Sequence, residues 1–146
     1  MIRKILAGAV FGLTVLAVSA QVFAQTAEDR QKLMKSNSAD AKAIKAAVEA
    51  KDYATVETKA KELMGNSEQI ALFPKGSKTG KTKAKAEIWE KPDDFAKAAK
   101  NLGKAAGELA SAAKARNDAE IDVKVKALGE TCNSCHKAFR AEKYAE

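Results

Sequence analysis

The sequence predicts an all-α domain, an antiparallel up-down-up-down four-helix bundle, and three observations carry that prediction. Four stretches place apolar residues at three- and four-residue spacing, the period that lines one face of a helix. None shows the sustained alternation of a half-buried strand. Short breaks near residue 51 and at 114–117 turn neighbouring helices back on one another.

The first helix is expected from about Glu28 to Ala50, with Leu33, Ala41, Ile44 and Val48 on one stripe and Asn37 as its polar intruder. Asp52 is a suitable N-cap for the second, which carries Tyr53, Val56, Ala60, Leu63 and Ile70. Gly65 and Asn66 interrupt it, but the apolar pattern resumes at Ile70, Leu72 and Phe73, so the helix is read through to the stop at Pro74. Residues 74–90, PKGSKTGKTKAKAEIWE, read as a long loop with Trp89 as an apolar anchor packed on the bundle.

Pro92, followed by Asp93 and Asp94, opens the third helix, where proline fits the first turn and acidic groups meet the positive end of the dipole. Its stripe is Phe95, Ala99, Leu102, Ala106, Leu109 and Ala113. Gly103 and Gly107 each cost about 1 kcal/mol of helix propensity, a cost that close approach of a neighbouring helix or a flat ligand would offset. Asn117 and Glu120 resemble a capping box at the start of the fourth helix, whose stripe is Ile121, Val125, Leu128, Cys132, Cys135 and Phe139.

Ahead of this domain, residues 1–24 have the three parts of a cleavable secretory signal. Arg3 and Lys4 supply the basic start, Ile5 to Val18 the apolar run, and Val22-Phe23-Ala24 the small-residue cleavage site. The run is too short for a convincing membrane span, so no stable membrane insertion is expected after cleavage. A periplasmic location follows, with residues 25–146 as one domain.

The full chain has a formal net charge of +7, of which the leader contributes two positive groups. Lysines alternate with Asp and Glu along the helices, and only 5% of residues are aromatic, which argues against a nucleic-acid footprint. The remaining positive surplus suits acidic redox partner proteins.

Both cysteines and the single histidine fall in one pentapeptide, Cys132-Asn133-Ser134-Cys135-His136, the pattern for covalent attachment of a c-type haem. The two thiols add to the vinyl groups, and the adjacent imidazole supplies an axial nitrogen to iron. A zinc site is a ligand short, and a thioredoxin-like pair lacks its strand and helix setting; a simple disulfide is the remaining alternative. One haem c per chain is therefore the expected cofactor, with Cys132 and Cys135 as attachment points and His136 as metal ligand.

A facing ligand should come from the first helix, the antiparallel neighbour of the last. His136 stands about ten residues, roughly 15 Å, before the expected end of the last helix, and Met34 lies about 12 Å into the first. Met34 is thus the candidate second ligand, since a thioether opposite an imidazole is an axial pair that raises the reduction potential. Met64 is the poorer alternative. With no second histidine for distal proton transfer, the chain reads as an electron carrier and not an enzyme.

Taken together, Arg30-Gln31-Lys32-Leu33-Met34, Leu72-Phe73-Pro74, Ile88-Trp89 and Cys132–His136 followed by Phe139-Arg140 resemble the class II c-type cytochromes, the cytochrome c-prime family. That resemblance implies a periplasmic four-helix bundle with haem c at one end. It further implies Arg30 beside a haem propionate, Arg140 near the proximal imidazole, and Met34 at the distal position. The distal residue divides the family: methionine there implies low-spin, six-coordinate iron, as in the c-556-like members. An apolar residue leaves a five-coordinate, high-spin iron open to NO and CO. Homodimers through the first two helices also belong to the family pattern.

Overall fold

Four long helices form because their apolar stripes can be buried only against one another, and the computed structural model describes residues 27–71, 73–78 and 81–143 of the result. They are α1 (Ala27–Glu49), α2 (Tyr53–Ala71), α4 (Pro92–Lys114) and α5 (Asp118–Phe139), with a single-turn helix α3 (Glu87–Glu90) before α4. Residues 1–24, read as a leader, and Leu72 lie outside the described residues.

The boundaries have local causes. Asp52 accepts from the Thr55 N–H at 3.1 Å and from its hydroxyl at 2.6 Å, which caps α2. Asn117 accepts from the Glu120 N–H at 3.2 Å and caps α5. Lys51 and Arg116 take left-handed backbone conformations, φ 54° and 53°, to turn the chain between α1 and α2 and between α4 and α5. Beside these turns Asp118 accepts from Lys51 at 2.9 Å and Tyr53 at 2.8 Å, and both bonds hold its carboxyl below the ordinary aspartate range.

Val56, Ala60, Leu63, Ala106 and Leu109 are at the centre of the core, each almost wholly shielded from water. Burying a side chain of valine or leucine size stabilises by about 1.5–3 kcal/mol relative to exposure. The tightest crossing is between α2 and α4. A Cβ at Gly103 would collide with the Ser67 hydroxyl, and one at Gly107 would lie 3.3 Å from the Met64 sulfur. The two glycines therefore serve close helix packing, the first of the two uses their spacing allowed.

Polar residues occupy the α1–α2 contact. Asn66 donates to Asn37 at 2.8 Å, which gives the polar intruder of the first stripe its partner. One turn on, buried Asp40 meets Lys59 at 3.2 Å, while its Oδ2 has no hydrogen-bond partner. Sequence reasoning had no place for this buried carboxylate.

Two expectations need correction. Residues 74–90 are not wholly loop, because Ile88 buries its side chain and winds residues 87–90 into α3. The last helix also ends at Phe139 instead of running to the chain end. Beyond it the backbone pairs with the connection: Lys85 N–H donates to Phe139 C=O at 3.0 Å, and Ala141 N–H to Lys83 C=O at 2.8 Å. That bridge, centred on Ala84 and Arg140, replaces further helical turns.

α1 packs on α2, α2 on α4 and α4 on α5, but α1 and α5 make no comparable contact. An antiparallel four-helix bundle normally closes that fourth side. Here a seam is left between the first and last long helices.

The packing at Gly103 yields an expectation. Gly103→Leu should lower stability by about 1–3 kcal/mol through overpacking, despite its better helix propensity. Gly65, in the same bundle with nothing near its Cβ position, should gain about 0.5–1 kcal/mol as Gly65→Ala. Urea-unfolding midpoints followed by circular dichroism read both signs.

Candidate haem site

The attachment motif lies within about the last two turns of α5, so its side chains fan around the helix at about 100° per residue. Thr131, Ser134, Cys135 and Ala138 line a cavity of about 520 Å³ whose other wall is Glu87, Lys91 and the α4 residues Asp94, Ala98 and Asn101. Cys135 thus borders α4. Cys132 and His136 follow at about 60° and 100° from Cys135, on the flank turned away from α4 and toward the seam.

Both cysteines are half-buried, packed against the core, and present as free thiols. Burial pushes both thiols above the ordinary range. His136, which the apolar stripe of the sequence did not include, is exposed. Partial desolvation and the charge of Arg140 hold the imidazole below the ordinary histidine range, favouring the neutral form that binds a metal. Arg140 therefore acts on the imidazole electrostatically, although it stands just beyond the helix as its C-cap.

Met34 is half-buried against the core. On α1 it lies about 120° from Asp40, which faces α2, and about 60° from Gln31, which reaches the connecting loop. It therefore borders the side of α1 that α2 leaves open. The depth argument made from the sequence loses its premise, because α5 stops three residues after His136, not ten. Met64 is 42% exposed and sits against Gly107 of α4, on a different side of the bundle.

Arg30, one turn before Met34, is only 5% exposed. Its guanidinium donates to the Ser77 hydroxyl at 2.8 Å and the Ser77 carbonyl at 2.5 Å. It also lies over the rings of Phe73 and Trp89, at 5.0 Å and 5.6 Å from their centroids. Burial lowers its pKa, and Nε has no acceptor. A buried cation satisfied only by neutral groups, with one donor still unpaired, is suited to receive a carboxylate.

Trp89 holds this corner together by donating to Pro74 C=O at 2.9 Å, the packing role its sequence position suggested. Phe73, Phe95 and Phe139 continue the cluster across to α5, with successive ring centroids 5.1 Å apart. Ser77, which sequence reasoning overlooked, is the acceptor that fixes Arg30. Nothing in its local sequence signals a partner 47 positions away.

The donor set and its surroundings fit a haem. Two thiols and an imidazole sit on one helix end, a thioether borders the facing side of α1, and an unsatisfied Arg30 donor awaits an anion such as a propionate.

Comparison with known proteins gives the same reading. The family model described as "Cytochrome C'" matches residues 25–140. A cytochrome c' of Rhodospirillum rubrum is 48% identical over 73 residues, which are 49% of this chain and 50% of that protein. That match thus spans about half the length of the relative. A cytochrome c-556 of Agrobacterium tumefaciens is 36% identical over 104 residues, 71% of this chain and 75% of that protein. The crystal structure of cytochrome c' from Thermochromatium tepidum superposes with a TM-score of 0.71 at 28% identity, covering 79% of this chain and 93% of that one. With the helical bundle and the C-terminal attachment motif, these matches show that the chain belongs to the cytochrome c' family of class II c-type cytochromes.

Proposed function

We propose that this protein is a periplasmic one-electron carrier whose haem c is tethered through Cys132 and Cys135 and ligated by His136 and Met34. Haem c is the cofactor of this family, and when bound it supplies an iron centre that cycles between ferrous and ferric states. Export rests on the leader-like residues 1–24. Among the described residues no helix is long and apolar enough to cross a membrane.

The observation that carries this reading is the seam between α1 and α5, with Met34 bordering one side and Cys132 and His136 the other. The surroundings of His136 favour its neutral form, the thiols would fix the group to the end of α5, and Arg30 offers an unused donor near the start of α1. Met34 is borne on a helix clamped to α2 by the Asn37–Asn66 and Asp40–Lys59 contacts, so a thioether there would be presented in one place in both oxidation states. Little reorganisation is the physical requirement of a carrier. The single histidine is assigned to iron, which leaves no imidazole for distal acid/base chemistry and supports a carrier over an enzyme.

Met34→Ala should open the sixth position. The ferric near-infrared sulfur-to-iron charge-transfer band should vanish, and the ferrous protein should become high-spin and bind CO. Unchanged spectra would remove Met34 from the ligand set, and CO binding by the unmutated protein would favour the gas-binding alternative.

Cys132→Ser or Cys135→Ser should leave a single thioether bond. Intact mass spectrometry should still find haem on the chain, while haem loss in denaturant should accelerate relative to the doubly attached protein. Equal retention in both variants would deny the cysteines their assigned role.

A further inference from the structure

We propose that the lysine-rich strap formed by residues 75–78 and 81–85, together with the end of α5, is the docking surface for a redox protein with a carboxylate-lined face. This rests on the electron-carrier reading and adds the place and chemistry of the partner.

The strap crosses between the two helices that border the seam. On the α1 side, Arg30 grips Ser77 and Gln31 donates to Lys81 C=O at 2.9 Å. At the α5 side, Lys85 N–H and Ala141 N–H form the bridge to Phe139 and Lys83, and the Lys85 ammonium donates to Lys137 C=O at 3.1 Å. Lys83 reaches Glu142 C=O at 2.7 Å. The segment is therefore fixed at both ends over one end of the seam, and so is the surface it presents.

Positive charge is concentrated on the strap and the end of α5, while exposed Glu28 and Asp29 open α1 at the same end. Residues 75–86 contain five lysines and no acidic residue. Lys137, Arg140 and Lys143 add three positive groups from the end of α5 and its extension, with Glu142 as the one acidic residue among them. Lys75, Lys78, Lys137, Arg140 and Lys143 are all exposed. The neighbouring sector carries the opposite sign: Glu87 and Glu90 on α3 are followed by Asp93 and Asp94 at the start of α4, with only Lys91 between. A positive field beside a negative one orients an approaching protein as well as attracting it, and such steering accelerates association about 10- to 1000-fold at low salt. Only a partner whose carboxylates meet the strap would be turned to face the seam.

The test compares two triple variants of the haem-loaded protein with the same change in net charge. Lys75→Glu, Lys78→Glu and Lys143→Glu reverse the proposed surface. Lys45→Glu, Lys114→Glu and Lys126→Glu reverse exposed lysines elsewhere on α1, α4 and α5. Ferrous protein is oxidised by ferricyanide, an anion, and by tris(phenanthroline)cobalt(III), a cation, at low and high salt. The strap variant should slow ferricyanide on the order of 10-fold at low salt and speed the cobalt reagent, with both effects fading as salt screens them. The distant variant should change each rate less than about 2-fold.

Backbone NMR of the ferrous protein titrated with poly-L-glutamate gives an independent reading. Shifts should gather at residues 75–85 and 137–143 and be absent in the strap variant. Equal responses of the two variants, or scattered NMR shifts, would overturn the docking surface while normal haem spectra left the carrier reading intact. Strap-dependent co-sedimentation with phosphatidylglycerol vesicles, without poly-glutamate binding, would also overturn it by making a lipid surface the partner. A protein that carries no haem would overturn both proposals together.

Discussion

The missing contact between α1 and α5 is the constraint on which the rest of this structure depends. Three sides of the bundle close by ordinary burial of apolar stripes, and the α2–α4 side closes tightly enough to require glycine. The fourth side does not close. Apolar and half-buried groups along it, Met34 and Cys132 among them, lack the helix-to-helix packing the same positions would have in a sealed bundle. Close packing is the rule in protein interiors, so a side left open in this way calls for an occupant.

Arg30 shows how the chain prepares for that occupant. Burying a guanidinium without a carboxylate is costly, and here the cost is offset by two hydrogen bonds to Ser77 and by two aromatic faces. Those contacts also tie the connection to α1, while the backbone bridge at Ala84 and Arg140 ties it to α5. One segment thus spaces the two helices and limits access to the seam between them. The far end of the bundle is tied by the contacts of Lys51 and Tyr53 with Asp118.

Much of this was legible in the sequence because its causes are local. Helical periodicity located four long helices, with every end but the last within a residue or two, the caps at Asp52 and Asn117 act as read, and the spacing of Cys132, Cys135 and His136 is dictated by the chemistry of attachment. What escaped has non-local causes. The one-turn α3 exists because Ile88 finds a core, and α5 ends early because Lys83 and Lys85 offer its backbone other partners. Asp40 carried no signal in the sequence, because its partner Lys59 comes from the next helix. Arg30 stood out through family resemblance alone, and the Ser77 acceptor that holds it was invisible in the linear chain. The early end of α5 also removed the depth argument for Met34, which now stands on its position around α1.

The most direct measurement uses the methyl groups of methionine as reporters of where the porphyrin lies. Beyond residue 24 the sequence holds two methionines, Met34 and Met64. In ferrous protein labelled with carbon-13 at the methionine methyls, the account predicts one signal, from Met34, moved far upfield by the porphyrin ring current. The Met64 signal should stay where methionines ordinarily resonate. Both methyls at ordinary positions would contradict a haem seated between α1 and α5 with Met34 on its iron.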